Sequence, residues 1–160
     1  MMSPFASKLT AQGIKPSIRT HSLNNVIISV TDMGRSVPFY EKLFGPSIRQ
    51  GDLALFRLAR GRRFFGVGPV KAGERPGYVS YGIAVDDFDP ERLAKTLQAA
   101  GVTAQVTTRE NTRELWVTDP SGYKIQLVDP SYGRGSGPRG DVVPPAVTPG
   151  TRVPLPLQSI

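Results

Sequence analysis

From Asn25 to Val30 the side chains alternate, Val26, Ile28 and Val30 falling on one face and Asn25, Ile27 and Ser29 on the other, which is the period of a strand. Asp32 then reads as the cap of a helix whose apolar face is Val37, Tyr40, Leu43 and Phe44, with Gly45 as its stop. Proline costs little only near a first turn, so Pro38 predicts that the regular helix begins at about Gly34 or later. Short strand patterns follow at SIRQ, LALFRLA and RFFGVG, with Gly61 at the hairpin between the last two.

After the punctuated connector Pro69 to Gly77 the same order returns. SYGIAVDD matches NVIISVTD, Val85 falling on Val30 and Asp87 on Asp32. Asp89-Pro90-Glu91 is a helix start, with a cap, a proline at the first position and an acid in the first turn. Leu93, Leu97 and Ala100 form its apolar face and Gly101 stops it. Strands are predicted at AQVTT, ELWVTD and KIQLVD, the last two joined by an Asp-Pro-Ser-Gly turn in which Pro120 suits the first central position and Gly122 closes the corner. The chain thus repeats a β-α-β-β-β unit at an offset of about 55 residues, twice only and too long for a solenoid. This organisation predicts an extended arm over 1–21 and a folded domain over 22–130, with units at about 22–68 and 78–129. A Pro/Gly-rich tail over 131–160 completes the chain, extended or disordered unless something docks it.

Two stretches, Leu23 to Gly45 (LNNVIISVTDMGRSVPFYEKLFG) and Leu115 to Asp129 (LWVTDPSGYKIQLVD), resemble the vicinal oxygen chelate superfamily, which includes glyoxalase I, extradiol dioxygenases and the bleomycin-resistance proteins. The resemblance implies an α+β fold in which two tandem βαβββ units form a cupped, barrel-like mixed sheet with the helices outside. It also implies a homodimer. A metal, where present in the family, is held by a His or Gln on the first strand of a unit and a Glu on the last. The corresponding positions here are Asn25 and Ser80, then Gly66 and Gln126. None is anionic or an imidazole, so no metal ligand and no cofactor are expected, and a divalent ion is disfavoured.

Strand parity sorts the faces. Val26, Ile28, Val30, Tyr81, Ile83, Val85, Ile125 and Leu127 are expected under the helices. Asn25, Ile27 and Ser29, Phe64, Gly66 and Gly68, Ser80, Gly82 and Ala84, and Lys124, Gln126 and Val128 are expected in the cup. A small, neutral cup with amides on opposite walls suits a flat apolar or aromatic ligand with a few hydrogen-bonding oxygens. Alternatively, the glycines only relieve crowding in a curved sheet. The catalytic candidates are Asn25 and Gln126, as donors to a developing enolate or oxyanion, and Arg57 as charge partner at the cup mouth. Arg57 also reads as a solvated edge-strand arginine. Ile27, Ser29, Phe64, Gly66, Ser80, Gly82, Trp116, Lys124 and Val128 are the substrate-binding candidates. Trp116 reads as packing first and cavity wall second, with Tyr132 or Arg134 closing over the cavity from the tail and Tyr123 at the rim. No base is evident in the cup, the acids clustering in turns and helices, and Lys124 serves as one only if desolvated.

Composition narrows the partners. The 160 residues carry no cysteine, so thiolate sites are excluded. The single histidine, His21, rules out a site of several imidazoles and is expected at the surface near the rim. A formal charge of +7 and a pI near 10.1 favour neutral or anionic ligands. Arg49, Arg60, Arg62, Arg63, Lys71 and Arg75 form a basic neighbourhood, but no nucleic-acid reading motif accompanies them and nucleic acid is not expected. No apolar run suits a membrane span. The first 22 residues hold Lys8, Lys15 and Arg19 and no acid, which leaves a transit or export leader open against a cytoplasmic default. The function expected is that of a metal-independent lyase or isomerase acting on a small oxygenated molecule, aromatic or carboxylate. The alternatives are a non-catalytic binding or resistance protein and a metal-dependent glyoxalase or dioxygenase.

Overall fold

The computed structural model describes residues 15–58 and 61–143. The remainder of the expected arm, 1–14, and of the tail, 144–160, lies outside the described residues. The chain runs β1 (Thr20–Val30), α1 (Met33–Phe44), β2 (Ile48–Gln50), β3 (Leu53–Arg57), β4 (Phe64–Pro69), β5 (Gly77–Val85), α2 (Pro90–Ala99), β6 (Ala104–Arg109), β7 (Thr112–Thr118) and β8 (Lys124–Val128). The eight strands form one mixed sheet in the order β2-β3-β4-β1-β5-β8-β7-β6. Each half pairs its first strand parallel to its last, β1 with β4 and β5 with β8, and the halves meet where β1 and β5 run antiparallel. The sequence repeat is therefore a structural one, and the α+β fold is as expected; the curled sheet does not close.

Alternation decides what packs where. Ile28, Val30, Phe65 and Val67 turn toward Val37 and Tyr40 of α1, while Ile83, Val85, Leu115 and Leu127 turn toward Leu93 and Leu97 of α2. On the other face Ile27, Leu55, Phe64, Ala84 and Val128 form a third, inner cluster. Both helices start on an aspartate, Asp32 accepting from Arg35 N and Asp89 from Arg92 N, each at 3.0 Å. At the predicted turn, Asp119 Oδ1 accepts from Ser121 N and Tyr123 N at 2.8 Å, and Gly122 takes φ +91°.

Several expectations are corrected. β1 begins at Thr20, so the arm stops short of 21 and His21 is a strand residue, exposed, 3.2 Å from Asp86 Oδ1. α1 starts at Met33 and carries Pro38 in its interior. Its expected apolar face is only partly used, for Leu43 is exposed, while Phe44, itself partly exposed, packs its ring against Phe56 and Phe65. In α2 it is Ala94, not Ala100, that joins Leu93 and Leu97 in the core. The tail as far as Val143 is docked. Thr112 Oγ1 donates to Gly137 O at 2.8 Å, Arg113 N to Pro138 O at 3.0 Å, and Arg62 to the carbonyls of Ser131 and Asp141. The segment thereby joins the β3–β4 hairpin of one half to the β6–β7 turn of the other. No helix among the described residues is long and apolar enough to cross a membrane.

Candidate active site

Sheet register sets one row of residues across the concave face: Phe64, Asn25, Gly82, Gln126 and Trp116 are successive neighbours on β4, β1, β5, β8 and β7. Gly82 is bare for a local reason. A Cβ there would run into the Asn25 amide, so its absence lets Asn25 lie across β5 toward Gln126. Asn25 Nδ2 donates to Asn24 Oδ1 at 3.0 Å and more weakly to Gln126 Oε1 at 3.5 Å. A bulge between Leu23 and Asn25 is what brings successive asparagines inside.

From Gln126 the network continues through the tail. Gln126 Nε2 donates to the Tyr132 hydroxyl at 3.2 Å, which donates to Glu114 Oε1 at 3.2 Å. Arg109 Nε donates to the same oxygen at 2.9 Å, and Trp116 Nε1 to Glu114 Oε2 at 3.3 Å. Asn24 Nδ2 holds the Tyr132 carbonyl at 3.0 Å. Burial disfavours the Arg109 charge, yet the hydrogen bonds and charges of Glu114 and Tyr132 together outweigh it and hold the guanidinium above its ordinary value. Burial and the Glu114 charge push the Tyr132 phenol up.

Tyr132 divides the cup. Its ring packs against Phe64 at 6.2 Å between centroids and joins the inner cluster with Val128, sealing one end. Arg57 belongs to this sealed end. Its guanidinium stands 5.8 Å over the Phe64 ring and donates to Arg62 O at 3.1 Å; burial and the Arg62 charge hold it below its ordinary value. The expectation that Arg57 reaches the cup mouth is thus corrected. The other end opens as a cavity of about 850 Å³. Of the residues expected to bind substrate, Ile27, Ser29, Ser80, Trp116 and Lys124 line it, whereas Phe64, Gly66, Gly82 and Val128 lie outside its lining, as do Asn25 and Gln126.

Sequence reasoning missed Glu114, Arg109, Tyr78, Lys71 and Arg75 on that wall. Glu114 was legible: two residues before Trp116, it shares that side chain's face, which overturns the expectation of no acid in the cup. Arg109 was not, because β6 and β7 extend into a tighter turn than the strand patterns show.

No family model matches the chain. The glutathione transferase FosA of Serratia marcescens is 27% identical over 117 residues, which cover 66% of this chain and 79% of that protein. Methylmalonyl-CoA epimerase from Mycobacterium tuberculosis superposes with a TM-score of 0.56 at 18% identity, covering 75% of this chain and 95% of that one. A Mn(II)-bound glyoxalase from Novosphingobium aromaticivorans gives 0.55 at 16% identity, over 69% of this chain and 39% of that one. The chain has the fold that these structures share, and the resemblance to the vicinal oxygen chelate superfamily holds at that level. It spans well under half the length of the glyoxalase and most of the length of the other two.

The expectation of no cofactor does not stand, since the glyoxalase of the same fold is Mn(II)-bound. The four positions that correspond to ligands here nevertheless fit such an ion poorly. Gly66 brings no donor, and Gln126 Oε1 already accepts from Asn25. The nearby Glu114 carboxylate is shared among three donors. Asn25 Oδ1 is buried without a hydrogen-bond partner among the described residues, and one neutral amide oxygen holds a transition ion only weakly. Among the described residues no three His, Cys, Asp or Glu side chains come together as a metal group.

Proposed function

We propose that the protein binds a small oxygenated anion, aromatic or carboxylate, in the cavity between its halves and acts on it as a lyase or isomerase. The observation that carries this reading is Glu114, a buried carboxylate paired to Arg109 on a cavity wall shared with Trp116. That wall holds five cationic side chains, Lys71, Arg75, Arg109, Lys124 and Arg134, against three acids, Asp52, Glu74 and Glu114, a balance that draws anions. Trp116 offers a face for a flat ligand. Lyase and isomerase chemistry of this kind needs a base and a donor to the developing enolate oxygen. Glu114 is the buried acid of the three, and the Ser29 and Ser80 hydroxyls are the donors nearest in kind. Asn25 and Gln126 act at one remove in this reading, positioning Glu114 through Tyr132.

Binding without catalysis is the second reading, favoured by the three donors that already occupy the Glu114 oxygens. Trp116 is the sole tryptophan and bonds Glu114, so its emission reports on the cavity. Titration with benzoate, phenylpyruvate and glutathione, the last taken from the name of the Serratia relative, is expected to quench it saturably. Solvent deuterium should then exchange into bound phenylpyruvate and fail to do so in Glu114→Gln. Saturable binding with no exchange and no turnover of any compound selects the binding protein instead. We also infer that two copies pair through the outer face of α1, where Phe39 and Leu43 are exposed.

A further inference from the structure

A second cavity, of about 590 Å³, lies behind the tail and is walled on that side by Gly135, Ser136, Val142 and Val143. It meets the main cavity at Gln50, Gly51, Arg109 and Arg134, which line both. The two arginines at this junction differ. Arg109 is matched by Glu114 and also donates to Gly135 O at 3.2 Å. Among the described residues, no hydrogen bond or ion pair engages the Arg134 guanidinium, although its charge acts on the Tyr132 phenol against burial and Glu114.

The backbone holds Arg134 there at a cost. Its φ is +55°, a left-handed conformation that non-glycine residues seldom adopt. Gly133 N and Gly135 N both donate to Gly140 O, at 3.0 and 2.9 Å, pinning the residue from either side. A Cβ on Gly135 would strike the Val142 carbonyl, so the pinned turn has no slack. An unmatched cation, fixed at the meeting point of two cavities by a strained and over-determined turn, has the form of an anion site. Each cavity is by itself of small-molecule size, within the range of about 300–1,000 Å³.

We propose that Arg134 holds the anionic group of a two-armed ligand, one arm lying along Trp116 in the main cavity and the other in the smaller cavity behind the tail. This rests on the reading of the main cavity above and adds the ligand's class: a singly charged phosphodiester or carboxylate, substituted on both sides.

Calorimetric titration of the full chain with dibenzyl phosphate and benzyl methyl phosphate tests it, since the two carry the same charge and differ in the second arm. The two-armed ester is expected to bind about tenfold tighter or more. Ser136→Phe, which fills the smaller cavity, should erase that advantage and leave benzyl methyl phosphate binding as before. Arg134→Asn keeps a residue suited to the left-handed turn, and should weaken both esters about tenfold or more without lowering the melting temperature. The matched carboxylates 2-benzyl-3-phenylpropanoate and 3-phenylpropanoate repeat the comparison, and the pair with the larger advantage identifies the anionic group. No advantage for the second arm in either pair, or full affinity in Arg134→Asn, overturns the proposal. If no compound binds the wild-type protein, the reading of the main cavity falls first and takes this one with it.

Discussion

The Tyr132 hydroxyl is a residue-scale link between neighbouring strands of the second half, accepting from Gln126 on β8 and donating to Glu114 on β7. At 2% exposure it has no water to fall back on. Tyr132→Phe leaves a buried Gln126 donor and a Glu114 lone pair unmet while keeping the ring, and is expected to cost about 1–3 kcal/mol in urea unfolding. The same phenol sets a pH dependence. Burial and the Glu114 charge raise its folded value above the ordinary one near about 10. The folded state therefore favours the neutral form. Its contribution is intact below about pH 10 and is lost as pH rises through the folded value. Thermal melts should fall more steeply above about pH 10 in the wild type than in Tyr132→Phe. Tyr78, also raised chiefly by burial, is common to both proteins and cancels in the comparison.

At the scale of elements, two close approaches organise the site. Between β1 and β5, Gly82 gives up its side chain to the Asn25 amide. Gly82→Ala is expected to cost about 1–3 kcal/mol, read by urea unfolding, because the amide has β5 on one side and Gln126 ahead of it. Between the tail and itself, Gly135 meets the Val142 carbonyl. Gly135→Ala should loosen the docked segment and raise the rate of tryptic cleavage after Arg134, which local opening controls. Strand parity in the sequence already assigned Asn25 and Gln126 to the concave face, since a period of two leaves one choice of face once Val, Ile and Leu are buried. It did not say which inward side chains would face open space. That depended on where Tyr132 inserts.

Over the whole molecule, the repeat supplies two similar halves, and the tail makes them unequal by sealing one end of the cup. α1 is the less covered helix, with no buried residue, and Phe39 and Leu43 are more than half exposed. If two copies meet there, sedimentation velocity should show a dimer in the wild type and a monomer after Leu43→Lys, with the fold intact by circular dichroism. The sequence by itself determined the two βαβββ units, their caps and turns, and the concave residues of β1 and β8. Those follow from local geometry, because alternation, a capping aspartate or a turn glycine acts within a few residues. The tertiary structure alone decided that the tail as far as Val143 would fold back, that Tyr132 would join Gln126 to Glu114, and that Arg57 would be shut in while Arg134 lined both cavities. Each of these depends on which surfaces meet once the sheet has curled and the tail has docked, and no local pattern encodes it.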